Sequence, residues 1–202
     1  MTLKHVQTGF SQLLRAGLIV HVRDCRQRFT YGLLIRDVLG IGGQRPWGNH
    51  DALVVQSGAG PGLGIGDATP FRCRITPLED YNRRIRSGDV QVRVYEVVNA
   101  TARQEIDAAT WWVRNVNGTV YDFRGILYLT FKSVFRRSRP VREWTWANWC
   151  TEGVGRAWLA AGRNVYRNVA PTPLTTERRL VGADATLRDV TQWAVDYSRP
   201  LA

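Results

Sequence analysis

The sequence of 202 residues has only three cysteines, Cys25, Cys73 and Cys150, and only three histidines. Cysteines this few and this far apart do not build a disulfide framework, and no cysteine or histidine pair has the spacing of a zinc site. The sequence therefore predicts no metal ion and no other cofactor. A reducing compartment is the simplest inference, with a phage protein or a protein exported without a signal peptide as the alternative.

Long hydrophobic runs are also lacking. No stretch approaches the roughly 20 consecutive apolar residues of a membrane-spanning helix. The segment 1–22 is interrupted by Gln, Arg and His and has no small-residue cleavage site after an apolar block, so no signal peptide is predicted. Hydrophobic residues make up 44% of the chain, enough for one domain with a sizeable core. We expect the protein to be cytoplasmic as synthesised, with a virion-associated location as the alternative.

Lysine is nearly absent, since Lys4 and Lys132 are the only two among 28 basic residues, and the net charge is +11. A basic surface attracts anionic partners, whether nucleic acid, anionic lipid or cell-wall polymer, and does not choose among them. The arginine clusters lie apart and match no nucleic-acid-binding pattern: 82–86, 136–142 and 177–180. Each cluster is most simply a solvated basic face, and no specific nucleic-acid partner is predicted.

Hydrophobic periodicity and turn residues predict short strands flanked by helices, the pattern of an α+β domain. Strands are predicted at 17–24, 50–57, 71–78 and 89–98, with another short strand inside the glycine-rich segment 58–70. Helices are predicted at 5–16, 30–40, 79–86, 101–118, 121–135, 150–162 and 186–197. The glycines of 58–70 fit neither the Walker pattern nor a strand–GxGxxG–helix unit, which argues against a nucleotide-binding loop.

Cys150 stands at the start of the predicted helix 150–162, two residues after Asn148. The unpaired N–H groups and the dipole of a helix N-terminus favour an anion, which lowers the pKa of a thiol and yields a nucleophilic thiolate. The alternative is a small buried hydrophobic residue. Cys25 and Cys73 are flanked by charged residues without a helix start, and both are predicted to be structural.

A nucleophilic thiol needs a base, and His50 is the best placed of the three histidines. His50 follows a Gly/Pro-containing loop and begins an apolar strand, so its side chain can point into a cleft while the strand is fixed in the core. His5 lies in a polar N-terminal segment and His21 lies inside a strand pattern. The alternative for His50 is a histidine that caps its strand.

The order of several motifs resembles the circularly permuted NlpC/P60-like cysteine peptidases, the YiiX/YaeF-like branch of the papain-like superfamily. After a glycine-led strand the motifs are NHDALVV (49–55), GIGDATPFRCRITPLEDY (64–81), NGTVYDFRGIL (117–127) and WCTEGV (149–154). The resemblance implies a permuted papain-like α+β domain over 17–165, with a small antiparallel sheet packed against helices. Residues 1–16 would be an N-terminal extension and 166–202 a C-terminal extension packed on the domain.

Carried over residue by residue, the resemblance makes Cys150 the nucleophile and His50 the base. The acidic residue that orients the base falls on Asp67, where the family commonly has Glu, so a shorter side chain must reach the histidine. Tyr121 matches the tyrosine of the YDF element, where packing is the expected role. The implied chemistry is acyl transfer through a thioacyl-enzyme intermediate.

Four further residues are candidates for contacts with a substrate: Trp149, Asn49, Tyr31 and Glu152. The backbone N–H of Cys150 would donate to an oxyanion, and Asn49 and Tyr31 are candidates for the second donor. Trp149 would wall the cleft, or else belong to the core. Glu152 either contacts the site or is a first-turn carboxylate that stabilises the helix N-terminus.

Three functions remain open from the sequence. The first is a cysteine amidase or endopeptidase that cleaves peptidoglycan stem peptides. The second is a thiol acyltransferase or lipid hydrolase on the same fold, since the more distant lecithin:retinol acyltransferase group shares the permuted order and arginines beside tryptophans suit an anionic membrane surface. The third is a non-catalytic binding or virion-assembly module. The corresponding partners are a peptide or peptidoglycan, an anionic polymer or membrane surface, and other virion proteins.

Overall fold

The computed structural model describes residues 6–24, 47–48, 50–57, 62–69, 72–121, 147–148, 150–167, 173–180 and 185–198. The strands are β1 (Val6–Phe10), β2 (Ile19–Asp24), β3 (His50–Gln56), β4 (Leu63–Ala68), β5 (Cys73–Pro77), β6 (Val90–Val97), β7 (Val120–Tyr121), β8 (Ala147–Asn148), β9 (Leu187–Asp189) and β10 (Val195–Ser198). The helices are α1 (Leu78–Arg86), α2 (Ala102–Asn115), α3 (Cys150–Ala160), α4 (Pro173–Arg178) and α5 (Thr191–Ala194).

The described part of the chain is an α+β fold built on a six-stranded antiparallel sheet in the order β5-β4-β3-β2-β6-β9. Strands β2, β3 and β6 are rich in β-branched residues and almost continuously buried, as expected for strands covered on both faces. One face of the sheet packs against α2 and α3, and the other packs against α1 and the paired strands β1 and β10. The α+β class and the antiparallel sheet agree with the sequence prediction.

Helix α2 is fixed at its start and along its buried face. Thr101 and Gln104 form a reciprocal capping box, as the N-cap prediction at Thr101 requires. Trp112 is 1% exposed and packs over Gly66 of β4, where an added Cβ would lie 2.8 Å from the indole ring. Glycine at this position therefore lets α2 approach the sheet closely.

Helix α3 packs on α2 and on β3 through Val154, Ala157 and Trp158, all fully buried. This packing sets the N-terminal residue of α3, Cys150, beside the first residue of β3, His50. The end of the sheet at which β3 begins is therefore where the candidate site lies.

Two predicted helices are wrong. Residues 6–10 of the helix expected at 5–16 form β1, which pairs with β10, and the Gln7 side chain bonds both backbone groups of Val92. Residues expected as one helix at 186–197 form β9, the short helix α5 and β10. In both cases pairing with a distant strand outweighs a local helical pattern. The helices expected at 30–40 and over most of 121–135 lie outside the described residues.

The two segments predicted as extensions take part in the same architecture. Strand β1 from the first pairs with β10 from the second, and β9 from the second is the edge strand of the main sheet. Among the described helices, none combines the length and the apolar composition needed to cross a bilayer.

Candidate active site

Cys150 is the first residue of α3 and is 8% exposed. The first N–H groups of a helix have no carbonyl partner within the helix, so they create a positive potential at this end. The candidate thiol is therefore mostly shielded from water and sits where a negative charge is favoured.

His50 bridges Cys150 and Asp67. Its Nε2 lies 2.5 Å from Asp67 Oδ1, and its ring lies beside the Cys150 thiol, close enough for the charges of the two groups to interact directly. Because Asp67 occupies Nε2, the nitrogen left to face the thiol is Nδ1. Asp67 lies on β4, next to β3 in the sheet, and this adjacency brings the short aspartate side chain within reach of the ring.

The charges of these three groups stabilise one another. Burial acts to raise the pKa of the Cys150 thiol, but the adjacent His50 outweighs it and the net pKa lies below the ordinary thiol value. Burial acts to lower the pKa of His50, and Asp67 together with Cys150 raises it well above the usual range. Asp67 has a lowered pKa, since His50 outweighs the effect of its burial. The arrangement therefore favours the charged forms of both groups, a thiolate beside an imidazolium.

Two further donors face the sulfur of Cys150. The Tyr121 hydroxyl lies close enough to interact with it, and burial followed by the Cys150 charge raises the Tyr121 pKa far above its usual range. The tyrosine hydroxyl therefore keeps its proton and can donate. The backbone N–H of Asp51 also acts on the sulfur and lowers the Cys150 pKa. Tyr121, expected only to pack, thus touches the candidate nucleophile.

A buried polar network lies directly behind the candidate site. The Asp51 carboxylate accepts hydrogen bonds from His21 Nδ1 at 2.6 Å, from the Thr151 hydroxyl at 2.7 Å and from the Thr176 hydroxyl at 2.8 Å. All four side chains are completely buried. Asp51 directly follows His50, and Thr151 directly follows Cys150. The network therefore joins the two chain segments that carry the candidate pair.

The second nitrogen of His21 is also held by a carboxylate. His21 Nε2 donates to Glu177 Oε1 at 3.0 Å, and the Gly48 N–H donates to the same oxygen at 3.1 Å. Gly48 lies so close to the His21 ring that an added Cβ would overlap it. Burial acts to lower the pKa of His21, but Asp51 and then Glu177 raise it to about 9. His21 is therefore an imidazolium at neutral pH.

The sequence reasoning missed this network because it judged each residue alone. His21 was set aside as a strand residue, and Asp51, Thr151, Thr176 and Glu177 were not considered. A usable signal was present: His21 lies within the apolar run of β2 and Asp51 directly precedes that of β3, and polar residues in buried strands need partners. Their pairing as cross-strand neighbours follows from the register of β2 on β3, which the sequence does not specify.

The predicted site residues have different outcomes. The structure brings Cys150, His50 and Asp67 together, while their catalytic roles stay predictions. Glu152 is buried in the first turn of α3 and lies 3.8 Å from Arg156 one turn along, as a first-turn carboxylate would. Its contact with a substrate stays a prediction. The remaining candidates, Trp149, Asn49 and Tyr31, lie outside the described residues.

Other chemistries find less support in the described part of the chain. No group of three or more His, Cys, Asp or Glu residues there could hold a metal ion. Cys73 is a fully buried thiol outside any disulfide, and burial raises its pKa, so it lacks the activation of Cys150. No known family model and no curated protein matches the chain. The function is therefore inferred from the arrangement of Cys150, His50 and Asp67.

Proposed function

We propose that the protein is a cysteine amidase or endopeptidase of the permuted papain-like, NlpC/P60-type fold, acting on peptidoglycan stem peptides. The observation that carries the proposal is the series Asp67–His50–Cys150 at the N-terminus of α3, in which Asp67 is hydrogen bonded to His50 and the charges of His50 and Cys150 stabilise each other. A nucleophile, a base and a group that orients the base are the parts that covalent acyl transfer needs.

The chain order of these residues supports the proposed fold. His50 and Asp67 come from adjacent antiparallel strands, and Cys150 follows them at the start of a helix packed on the same sheet. This is the order of base, orienting carboxylate and nucleophile in the permuted branch that the sequence resembles.

In the first half of the reaction, the Cys150 thiolate attacks the carbonyl carbon of an amide and a C–S bond forms. The C–N bond then breaks as the His50 imidazolium gives its Nδ1 proton to the leaving amine, and a thioester remains on Cys150. His50, now neutral, stays in place through its bond to Asp67.

In the second half, neutral His50 takes a proton from a water molecule, and the oxygen attacks the thioester carbonyl. The C–S bond breaks, the acid product leaves, and the thiolate–imidazolium pair is restored. Donors for the transient oxyanion would be the N–H groups at the start of α3, with the Tyr121 hydroxyl close by. The loss of one such donor typically lowers the rate by about 10²–10³-fold.

The choice of peptidoglycan rests on the family resemblance and on the net charge of +11, which suits an anionic wall polymer. Such a substrate lies outside the cytoplasm, so the proposal includes delivery after synthesis, with a virion as the carrier.

The test is an assay of muropeptide amide hydrolysis by the wild type, Cys150→Ala and Cys73→Ala, with short-chain acyl esters and phospholipid assayed in parallel. Cys73 is a second buried thiol outside any disulfide and belongs to the same core cluster, so Cys73→Ala is the matched control. We expect muropeptide turnover that Cys150→Ala abolishes and Cys73→Ala retains. Turnover of lipid alone would move the protein to the acyltransferase class, and no turnover of any substrate would favour a non-catalytic module.

A further inference from the structure

Asp51 connects the strand that carries His50 to the helix that begins with Cys150. Its carboxylate accepts a 2.7 Å hydrogen bond from the Thr151 hydroxyl, across 100 positions of sequence. Because Asp51 and Thr151 are the immediate neighbours of His50 and Cys150, this bond limits how far β3 and α3 can separate at the candidate site.

A carboxylate at this position is costly for the fold. Asp51 is fully buried at the start of the apolar run of β3, and a buried charge destabilises a core unless it is paired and hydrogen bonded. Apolar residues of similar volume often stabilise a core as well as a buried ion pair or better. Stability alone therefore does not account for Asp51, whereas a hydrogen bond adds what apolar packing lacks, a fixed direction and distance.

The Asp51 carboxylate is itself firmly held. His21 donates to its Oδ1, and Thr151 and Thr176 both donate to its Oδ2. Glu177 holds the opposite nitrogen of His21, so the ring cannot turn away without the loss of two charge-assisted hydrogen bonds. Asp51 is thus a fixed point to which the first turn of α3 is attached.

We propose that Asp51 is a positioning residue for the Cys150–His50 pair, acting through the Thr151 hydroxyl to hold the first turn of α3 against the start of β3. The inference rests on the proposed function, since it describes what keeps the nucleophile and its base in register. A misplacement of about 1 Å between reacting groups can lower a rate by about 10²-fold.

The test compares Thr151→Val with Thr176→Val. Both hydroxyls donate to the same carboxylate oxygen, at 2.7 and 2.8 Å, and both residues are fully buried. Valine keeps the shape of threonine and removes the bond to Asp51 in each case, together with one longer contact: Thr151 Oγ1 lies 3.7 Å from Cys150 Sγ, and Thr176 Oγ1 lies 3.3 Å from the Tyr166 hydroxyl. Because the Thr151 proton is donated to Asp51, its oxygen offers only lone pairs to the sulfur, and the loss of that contact alone would lower the Cys150 pKa rather than raise it. Only Thr151 is the neighbour of Cys150, since Thr176 belongs to α4. Thr176→Val is therefore a matched control for the loss of the bond itself.

The readout does not depend on any substrate. The rate of alkylation of Cys150 by iodoacetamide is measured across pH, by mass spectrometry of the peptide that contains it, and the thermal midpoint is measured beside it. We expect Thr151→Val to raise the apparent pKa of Cys150 by about one unit. At pH values below that pKa, the fraction of Cys150 present as thiolate would then be about tenfold smaller. Thr176→Val should lower the thermal midpoint by a similar amount with a clearly smaller pKa shift, and Thr151→Ser should restore the wild-type profile.

Equal pKa shifts in the two valine variants, or no shift in either, would show that Asp51 is structural only, and the proposed function would stand. A wild-type Cys150 that titrates near the ordinary thiol value of 9.0 would overturn the proposed function itself, and the positioning role with it. If Thr151→Val does not fold, Thr151→Ala and Thr176→Ala replace the valine pair and are read by the same criterion.

Discussion

His21 Nδ1 and Asp51 Oδ1 lie 2.6 Å apart in a fully buried pair, as direct neighbours across β2 and β3. Arg93 is the neighbour of His21 on its other side, in β6, and its guanidinium stacks over the ring of Trp47. The two carboxylates bonded to the His21 ring, those of Asp51 and Glu177, offset its positive charge, and this explains why the His21 pKa is raised to about 9.

This raised pKa makes the stability of the protein depend on pH. The folded pKa of about 9 lies above the ordinary 6.5, so the contribution of His21 is complete below about pH 6.5 and is lost as the pH rises through about 9. We expect His21→Gln to be less stable than the wild type at neutral pH, with a difference that shrinks above pH 9. Urea unfolding of both proteins across this range measures it. A constant difference would mean that His21 is not charged in the folded state.

Asp67→Asn should impair the reaction without abolishing it. The amide keeps the reach of the carboxylate to His50 Nε2 and loses the charge that raises the His50 pKa. The loss of an orienting carboxylate typically lowers the rate less than the loss of the nucleophile or the base. The kcat/KM of Asp67→Asn should therefore be about 10²-fold higher than that of Cys150→Ala or His50→Ala.

The two alanine variants provide an internal check on that comparison. Cys150 and His50 act as one unit in the proposed mechanism. The double variant that carries both Cys150→Ala and His50→Ala should therefore be no slower than either single variant. Additive losses in the double variant would mean that the two residues act independently.

Tyr121→Phe should lower kcat by about 10-fold or more with little change in KM. The substitution removes one hydroxyl that faces the Cys150 sulfur and keeps the ring in its packed position. Steady-state kinetics on the muropeptide substrate separates the two parameters. An unchanged kcat would restrict Tyr121 to the packing role expected from the sequence.

The two described thiols should differ sharply in reactivity. Burial raises the pKa of Cys73, whereas His50 lowers that of Cys150. Near neutral pH, iodoacetamide should therefore label Cys150 well before Cys73, and Cys73 should react only when the protein unfolds. Peptide mapping after timed alkylation distinguishes the two sites. Protection of Cys150 until denaturation would support a buried, unreactive cysteine.

Local sequence features were sufficient for the elements that carry the site. The apolar run after His50 predicted β3, and the helix start at Cys150 predicted α3. The glycine-rich segment 58–70 predicted only that a short strand lies within it, and this strand is β4. These signals are local, since strand alternation and helix starts depend on neighbouring residues. The same local signals were enough to name Cys150 as the candidate nucleophile and His50 as the candidate base.

Contacts between distant segments could not be predicted in this way. The bond from Thr151 to Asp51 and the pairing of β1 with β10 depend on register and packing across most of the chain. Val6–Phe10 carries no strong strand signal of its own, and it becomes a strand because β10 lies beside it. The buried network behind Cys150 has the same origin, so it became visible only with the fold.

The central claim, that Cys150 is a thiolate nucleophile activated by His50, is tested most directly by the pH dependence of Cys150 alkylation in the wild type and in His50→Gln. If His50 activates the thiol, we expect the wild-type thiol to titrate below the ordinary 9.0 and to shift to 9.0 or above once the imidazolium is removed, because burial then outweighs the donors that remain. A wild-type thiol that titrates at or above 9.0, or a profile that His50→Gln leaves unchanged, would contradict it.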